Sequence, residues 1–212
     1  MRLYHHPFSF NSRRAVMTAL HLRAPVELVF VDLQKGEQRQ PQFLELNPNH
    51  RVPVLEDDGF VLWESHAIMQ YLADKTPRQT LYPAETRARA DTNRWLFWSA
   101  QHFSPAIGIL NWEHVIKGIL GLGAADPAEV RRGEGLVREF AGILDAHLGR
   151  CDWICGDALS LADIAIAAPL STAVPAKLPI GELTHLQRWF AQMQALEVWK
   201  KTAVPGSARR RD

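Results

Sequence analysis

The chain has 212 residues, enough for one large domain or two small ones. With 47% hydrophobic and 22% charged residues it has the composition of an ordinary soluble globular protein, and a formal net charge of +1 gives no electrostatic case for nucleic acid or an acidic membrane. No apolar run approaches the ~20 residues needed to span a bilayer, and the N-terminus enters strand-like sequence without a signal peptide's apolar segment. A cytoplasmic protein with no membrane or nucleic-acid partner is expected.

In chain order, Arg2-Leu3-Tyr4-His5 reads as a short strand. Asn11 or Ser12 can cap a helix through about Leu22, ended by the Ala24-Pro25 step. Val26 to Leu33 is apolar and β-branched, the pattern of a strand buried on both faces. Pro41 to Leu46 gives a short helix stopped by Asn47-Pro48. Val52 to Glu56 and Phe60 to Trp63 flank Asp57-Asp58-Gly59, a hairpin signal. A helix from Ser65 to about Lys75 carries Ile68, Leu72 and Ala73 in helical register. The order β-α-β-α-β-β-α requires a parallel crossover first and an antiparallel hairpin after it.

Residues 1–76 thus form an α/β domain, and residues 77–86, rich in proline and without periodicity, form a linker. Residues 87–212 read as helical throughout. Pro127 opens a helix to about Leu148, and Leu183 to Leu196 is the last amphipathic one. Ser160 and Asp163, three residues on, resemble a capping box with Asp in place of the usual Glu. The segment they head is apolar all round and is expected to be a buried central helix. The basic cluster Arg209-Arg210-Arg211 reads as a solvated tail.

The chemistry concentrates in residues 51–66. Pro53 cannot donate a ladder hydrogen bond, and a cis Val52–Pro53 bond would turn the Val52 N–H and C=O toward a ligand. Glu64 and Ser65 stand where a helix presents unpaired N–H groups, a place suited to a ligand carboxylate. His5 and His6, as strand neighbours, point to opposite faces and cannot chelate one ion, so no metal is expected. Cys151 and Cys155 have neither redox nor zinc spacing.

Three motifs, Asn47-Pro48 with Val52-Pro53-Val54-Leu55, Glu64-Ser65-His66-Ala67-Ile68, and Gly156-Asp157 with Ser160-Leu161-Ala162-Asp163, occur in an order and spacing that resembles a cytosolic glutathione transferase. The resemblance covers nearly the whole chain. It implies a thioredoxin-like N-terminal domain followed by an all-α C-terminal domain, with glutathione as co-substrate and a symmetric homodimer. It also implies that Val52 pairs its backbone with the cysteinyl part of glutathione beside Pro53. Glu64 would meet the γ-glutamyl ammonium, and Ser65 the α-carboxylate. Gln38, Arg39, His50 and Arg51 stand where the family has ligands for the glycyl carboxylate. Phe8, Phe103 and Trp112 are candidates for the second-substrate pocket.

A free thiol has a pKa of about 8.5, so only a few per cent is thiolate at neutral pH. Lowering it by about two units requires ~2.7 kcal/mol of preference for the anion, which a hydroxyl donor and a helix N-terminus can supply. Ser9 stands four residues before Arg13, as the activating hydroxyl does in the family's serine classes, and is the first choice. Asn11 is second, because Ser9-Phe10-Asn11 resembles the Thr-x-Asn pair of some bacterial members, and Ser12 is third. The expected activity is attack of the thiolate on a small hydrophobic electrophile, a peroxide or a disulfide. A scaffold protein without turnover is the alternative. A glutaredoxin-like enzyme is disfavoured by the lack of any cysteine before Cys151.

Overall fold

In the computed structural model, residues 1–203 are described; the arginine cluster at 209–211 lies outside them. The described chain divides into two compact units, Met1–Tyr82 with residues 195–203, and Pro83–Gln194.

The first unit is built on β1 (Arg2–His5), β2 (Glu27–Phe30), β3 (Val54–Asp57) and β4 (Phe60–Trp63), in the order β2-β1-β3-β4. β1 and β2 are parallel, with Leu3 opposite Leu28; β3 is antiparallel to both β1 and β4, with Tyr4 opposite Val54 and Val54 opposite Trp63. The parallel crossover is made by α1 (Phe10–Leu22), which packs beside α3 (Ser65–Lys75). Leu3, Leu55, Ala15, Val16, Ala19, Ile68 and Leu72 form the core on that face. On the other face Val31, Phe43, Val52 and Val54 are buried with Tyr4 and Leu46 against them, and Phe43 comes from α2 (Pro41–Leu46). Asp58 and Gly59 both have positive φ (47° and 86°), which lets a two-residue turn follow the twist of its strands.

Two expectations are corrected. The strand read as buried on both faces is an edge strand, with Leu28 43% and Phe30 55% exposed. Its composition resembles that of an internal parallel strand, but only β1 covers it. The cap of α1 is Ser9, whose Oγ accepts from the Ser12 N–H at 3.2 Å; Asn11 and Ser12 both lie inside the first turn. The helix ends at a left-handed Arg23, and the Ala24 N–H closes on the Ala19 carbonyl at 2.9 Å. Late in the chain, α10 (Glu197–Lys201) returns to this unit. The Arg13 guanidinium lies 3.8 Å from the Trp199 ring centroid and donates to the Trp199 carbonyl at 3.0 Å and Thr202 Oγ1 at 3.2 Å.

The second unit holds α4 (Thr86–Trp98), α5 (Ser104–Asn111), α6 (Lys117–Leu120), α7 (Pro127–Leu148), α8 (Leu161–Leu170) and α9 (Thr184–Ala195). A π-turn over Ser99–Phe103 joins α4 to α5, where Pro105 has no N–H to continue the regular ladder. α5 and α7 approach closely at Gly133, where a Cβ would meet Leu110 Cδ2 at 2.9 Å. All ten residues of α8 are buried, as its sequence, apolar but for Asp163, requires. Its first turn is fully bonded. Asp163 Oδ2 accepts from the Ser160 N–H and hydroxyl, both at 2.8 Å, and Oδ1 accepts from the Ile154 N–H and Trp189 Nε1–H, both at 2.9 Å. Burial pushes this carboxyl's pKa up, and those four donors oppose the shift. No helix among the described residues is long and apolar enough to cross a membrane.

Candidate active site

Strand direction brings the candidate residues together. β1 ends at His5, beside the start of β3 at Val54 and the end of β2 at Phe30, while β4 ends at Trp63 opposite Val54. The loop over residues 6–9, the segment over 31–39, the Val52–Pro53 step and the Glu64–Ser65 turn therefore leave the same end of the sheet. This is the end at which open sheets with parallel strands place their ligands.

The first loop is set by His6. Its carbonyl accepts from the Ser9 N–H at 3.0 Å, and its Nδ1 accepts from the Phe8 N–H at 3.2 Å. Its ring is held between Phe8 and Phe30, with centroids 5.5 and 5.4 Å away. Desolvation, the larger cause, lowers its pKa, so the ring stays neutral. Ser12 Oγ, 1% exposed as a residue, accepts from the His6 N–H at 3.3 Å and closes the loop from beneath. Ser12 is therefore a structural residue, and its candidacy for the thiol ends there. Ser9 Oγ accepts one bond as helix cap but keeps its O–H for a ligand, because a hydroxyl is one donor and two acceptors. Asn11 is partly exposed on the first turn, beside N–H groups that have no intrahelical partner.

The second segment hangs from Asn47, which is 3% exposed. Its amide donates to the Arg51 carbonyl at 2.8 Å, and its Oδ1 accepts from the Asn49 N–H and side-chain amide, both at 3.0 Å. The Val52–Pro53 peptide is cis. Val52 is buried as a side chain, and among the described residues its backbone N–H and C=O have no hydrogen-bond partner. His50 and Arg51 are exposed, His50 with a positive φ of 47°. Gln38 donates weakly to the Leu33 carbonyl at 3.5 Å, and its Oε1 is buried without a partner; Arg39 is exposed in the short 3₁₀ turn Glu37–Arg39.

The third segment is Glu64-Ser65. Glu64 is exposed at φ 72°, ψ 112°, a conformation that costs a non-glycine residue of the order of 1–3 kcal/mol. No side chain caps the N–H groups of the first turn of α3. Ser65 is only 5% exposed, and its hydroxyl has no partner among the described residues. Glu64 and several donors stand together, and among the described residues no side chain pairs with the Ser65 hydroxyl or caps the first-turn N–H groups. Taken as a set, the three segments can hold an extended peptide by its main chain, a zwitterionic amino-acid head at one end and a thiolate at the other.

The proposed second-substrate residues divide. Phe8 is 54% and Trp112 43% exposed, whereas Phe103 is 0% exposed and stacks on Trp98 at 5.3 Å in the core of its unit, so it cannot line a pocket. Helical spacing of aromatics marks core and pocket alike. Among the described residues no cluster of three or more metal-ligating side chains occurs. Burial pushes Cys155 up to about 11 and raises Cys151 as well, which leaves neither as a thiolate at neutral pH. An apolar pocket of about 330 Å³ between β2 and α2 contains none of the candidate residues. The bracing residue His6 and the buried Arg14 described below carry no local sign of their role in the sequence.

A mixed four-stranded sheet with this site at its end, joined to a helical unit with a capped buried helix, defines the thioredoxin-like class of glutathione-binding folds. The family model for the glutathione S-transferase N-terminal domain matches residues 1–74, and that for the C-terminal domain matches residues 103–197. Glutathione S-transferase F10 of Arabidopsis thaliana is 30% identical over 207 residues, 93% of this chain and 94% of that protein. Among solved structures, glutathione transferase F7 from Populus trichocarpa is similar with a TM-score of 0.88 at 26% identity, covering 95% of this chain and 97% of that one. A theta-class enzyme from Xanthomonas axonopodis pv. citri, solved with glutathione bound, has a TM-score of 0.86 at 27% identity, covering 96% of each chain. The chain belongs to the glutathione S-transferase family.

Proposed function

We propose that this chain is a glutathione transferase of the serine type, in which Ser9 donates its hydroxyl hydrogen to the glutathione thiolate. The observation that carries the reading is the set of groups at one sheet end without partners among the described residues: the Val52 backbone, the Ser65 hydroxyl and the uncapped first turn of α3. Polar groups in a fold are normally paired, and those left open together mark a ligand. The Val52 N–H and C=O pair with the cysteinyl residue. Glu64 takes the γ-glutamyl ammonium, and Ser65 with the helix N–H groups takes the α-carboxylate. Arg51, His50, Arg39 and Gln38 serve the glycyl end.

Catalysis is then placement plus electrostatics. The sulfur lies at the N-terminus of α1, where the Ser9 hydroxyl, the free N–H groups of the first turn and the Asn11 amide all favour the anion. The thiolate attacks a small hydrophobic electrophile directly, and no protein thiol takes part. Phe8 is an aromatic group of the first unit offered to that substrate. A homodimer is part of the proposal, with Phe60 (50% exposed) and Trp63 (40% exposed) as apolar surface on the first unit.

Calorimetry with glutathione and turnover of a chlorodinitrobenzene-type electrophile form the direct test. Wild-type protein is expected to bind glutathione and conjugate it, with the rate limited at low pH by thiol ionisation. Absence of a binding isotherm at millimolar glutathione overturns the site. Sedimentation at micromolar concentration tests the dimer.

A further inference from the structure

Arg14 is 1% exposed, on the second turn of α1 where that helix packs against α3. A buried guanidinium is a costly way to fill space that Leu or Met would fill without desolvation. Its surroundings show what it is set against. Nη1 lies 2.8 Å from His66 Nε2 and 3.3 Å from His66 Nδ1. The two ring nitrogens point away from each other in the ring plane, so a donor within that plane can reach only one of them. Near-equal distances place the guanidinium nitrogen over the imidazole face, a cation–π contact with a neutral ring. Burial, and after it the Arg14 charge, push the His66 pKa down to about 2, which keeps the ring neutral. Phe10 offers a second ring face 5.9 Å from the guanidinium carbon. Glu64 is the acidic group whose charge acts on Arg14; burial brings the Arg14 pKa down to about 9 and leaves it a cation at neutral pH.

His66 directly follows Ser65 and is the second residue of α3. Pinning its ring against α1 fixes how the first turn of α3 is rotated. Glu64, held with positive φ, and the Ser65 hydroxyl then have one orientation each instead of several. The cation also adds positive potential at the helix end where a carboxylate is to dock.

We propose that the Arg14–His66 contact is the positioning device for the Glu64–Ser65 turn and, through it, sets affinity for the amino-acid end of glutathione; this rests on the reading of that turn given above. Neither residue touches glutathione. The contact works by reducing the ordering that binding would otherwise have to impose.

The test uses His66→Leu, which removes the ring, His66→Phe, which keeps a ring face, and Arg14→Met. Each is measured by calorimetry with glutathione and with deamino-glutathione, which lacks the ammonium that meets Glu64, beside steady-state kinetics and thermal melting. His66→Leu is expected to weaken glutathione binding about tenfold, a 1.4 kcal/mol effect. It should raise KM for glutathione by the same factor with kcat at saturation within about twofold, and weaken deamino-glutathione, which keeps the carboxylate that meets Ser65 but lacks the ammonium, by distinctly less, the signature of coupling through Glu64. His66→Phe should restore glutathione affinity. If Arg14→Met does not fold, the two His66 variants decide alone. A His66→Leu protein that melts near wild type and binds glutathione normally overturns the proposal. So does an equal loss for both ligands, or failure of His66→Phe to recover. If wild-type protein itself fails to bind glutathione, the reading of the site falls and takes this proposal with it; a result confined to the variants strikes the proposal alone.

Discussion

Two helix N-termini in this molecule carry the same pair of side-chain types, an acid and a serine, and put them to opposite use. At α8, Ser160 and Asp163 satisfy each other and bind two further donors, Ile154 N–H and Trp189 Nε1–H, inside the second unit. At α3, Glu64 is exposed, and among the described residues the Ser65 hydroxyl has no partner and no side chain caps the turn. The first arrangement spends its polar groups on folding. The second leaves the serine hydroxyl open among the described residues and holds Glu64 at positive φ, the pattern of a binding site. Residue type does not separate folding from function here. What separates them is whether the polar atoms have partners in the protein.

The contrast is most exposed to test at Asp163. Asp163→Ala leaves four buried donors without an acceptor and is expected to cost on the order of 3 kcal/mol or more. Circular dichroism melting should show a drop of several degrees, while the fraction that remains folded binds glutathione normally. A melting temperature within a degree of wild type would remove the assigned role of this carboxylate.

Ser9→Ala should act on folding and function together, since Ser9 is the cap of α1 and the proposed donor to the thiolate. The expected loss in kcat/KM is on the order of 10²-fold, with the thiol's apparent pKa raised in the pH–rate profile. The cap alone accounts for about 1 kcal/mol of stability. If Asn11→Ala proves the more damaging of the two in kcat, the donor roles assigned to them exchange.

Ser65→Ala removes the proposed charge-assisted bond to the ligand and no side-chain hydrogen bond among the described residues. Glutathione affinity should fall by roughly 10- to 100-fold with melting unchanged. A drop in stability comparable to that of Asp163→Ala would erase the distinction between the α3 and α8 N-termini.

Acid gives a further handle on the α3 end. The folded His66 pKa, about 2, lies far below its ordinary 6.5. The unfolded chain therefore takes up the proton first as pH falls, so stability is present in full above about 6.5 and is lost on going down through that value toward 2. The slope from this one group reaches ~1.4 kcal/mol per pH unit. Urea titrations at pH 7 and pH 5 on wild type and His66→Phe measure it: the variant should lose less. The smallest expected effect is Glu64→Gly, which relieves the positive φ and should stabilise the protein by about 1 kcal/mol while weakening glutathione binding.

Much of the site is legible in the sequence because its parts are local. The Val52-Pro53 step, the Asp58-Gly59 turn and the Glu64-Ser65 helix start each depend on a few adjacent residues whose backbone preferences are strong. Ser9 as the first-loop hydroxyl is legible too, though its capping role is not, because Asn11 and Ser12 are equally good caps by type. Phe103 shows the limit. As an aromatic in helical register it suits a pocket or a core, and only the Trp98 ring stacked on it places it in the core.

By itself, the order of residues determined the alternation of strands and helices, the punctuation between them and the short-range chemistry of three loops. Those follow from torsional preference and from hydrogen bonds that span a few positions. Tertiary structure alone decided that β2 lies at an edge, that Trp199 returns 186 positions along the chain from Arg13, and that Arg14 is buried against the face of His66. Each of these depends on which distant surface covers a side chain, and burial by a remote partner leaves no trace in the residues on either side.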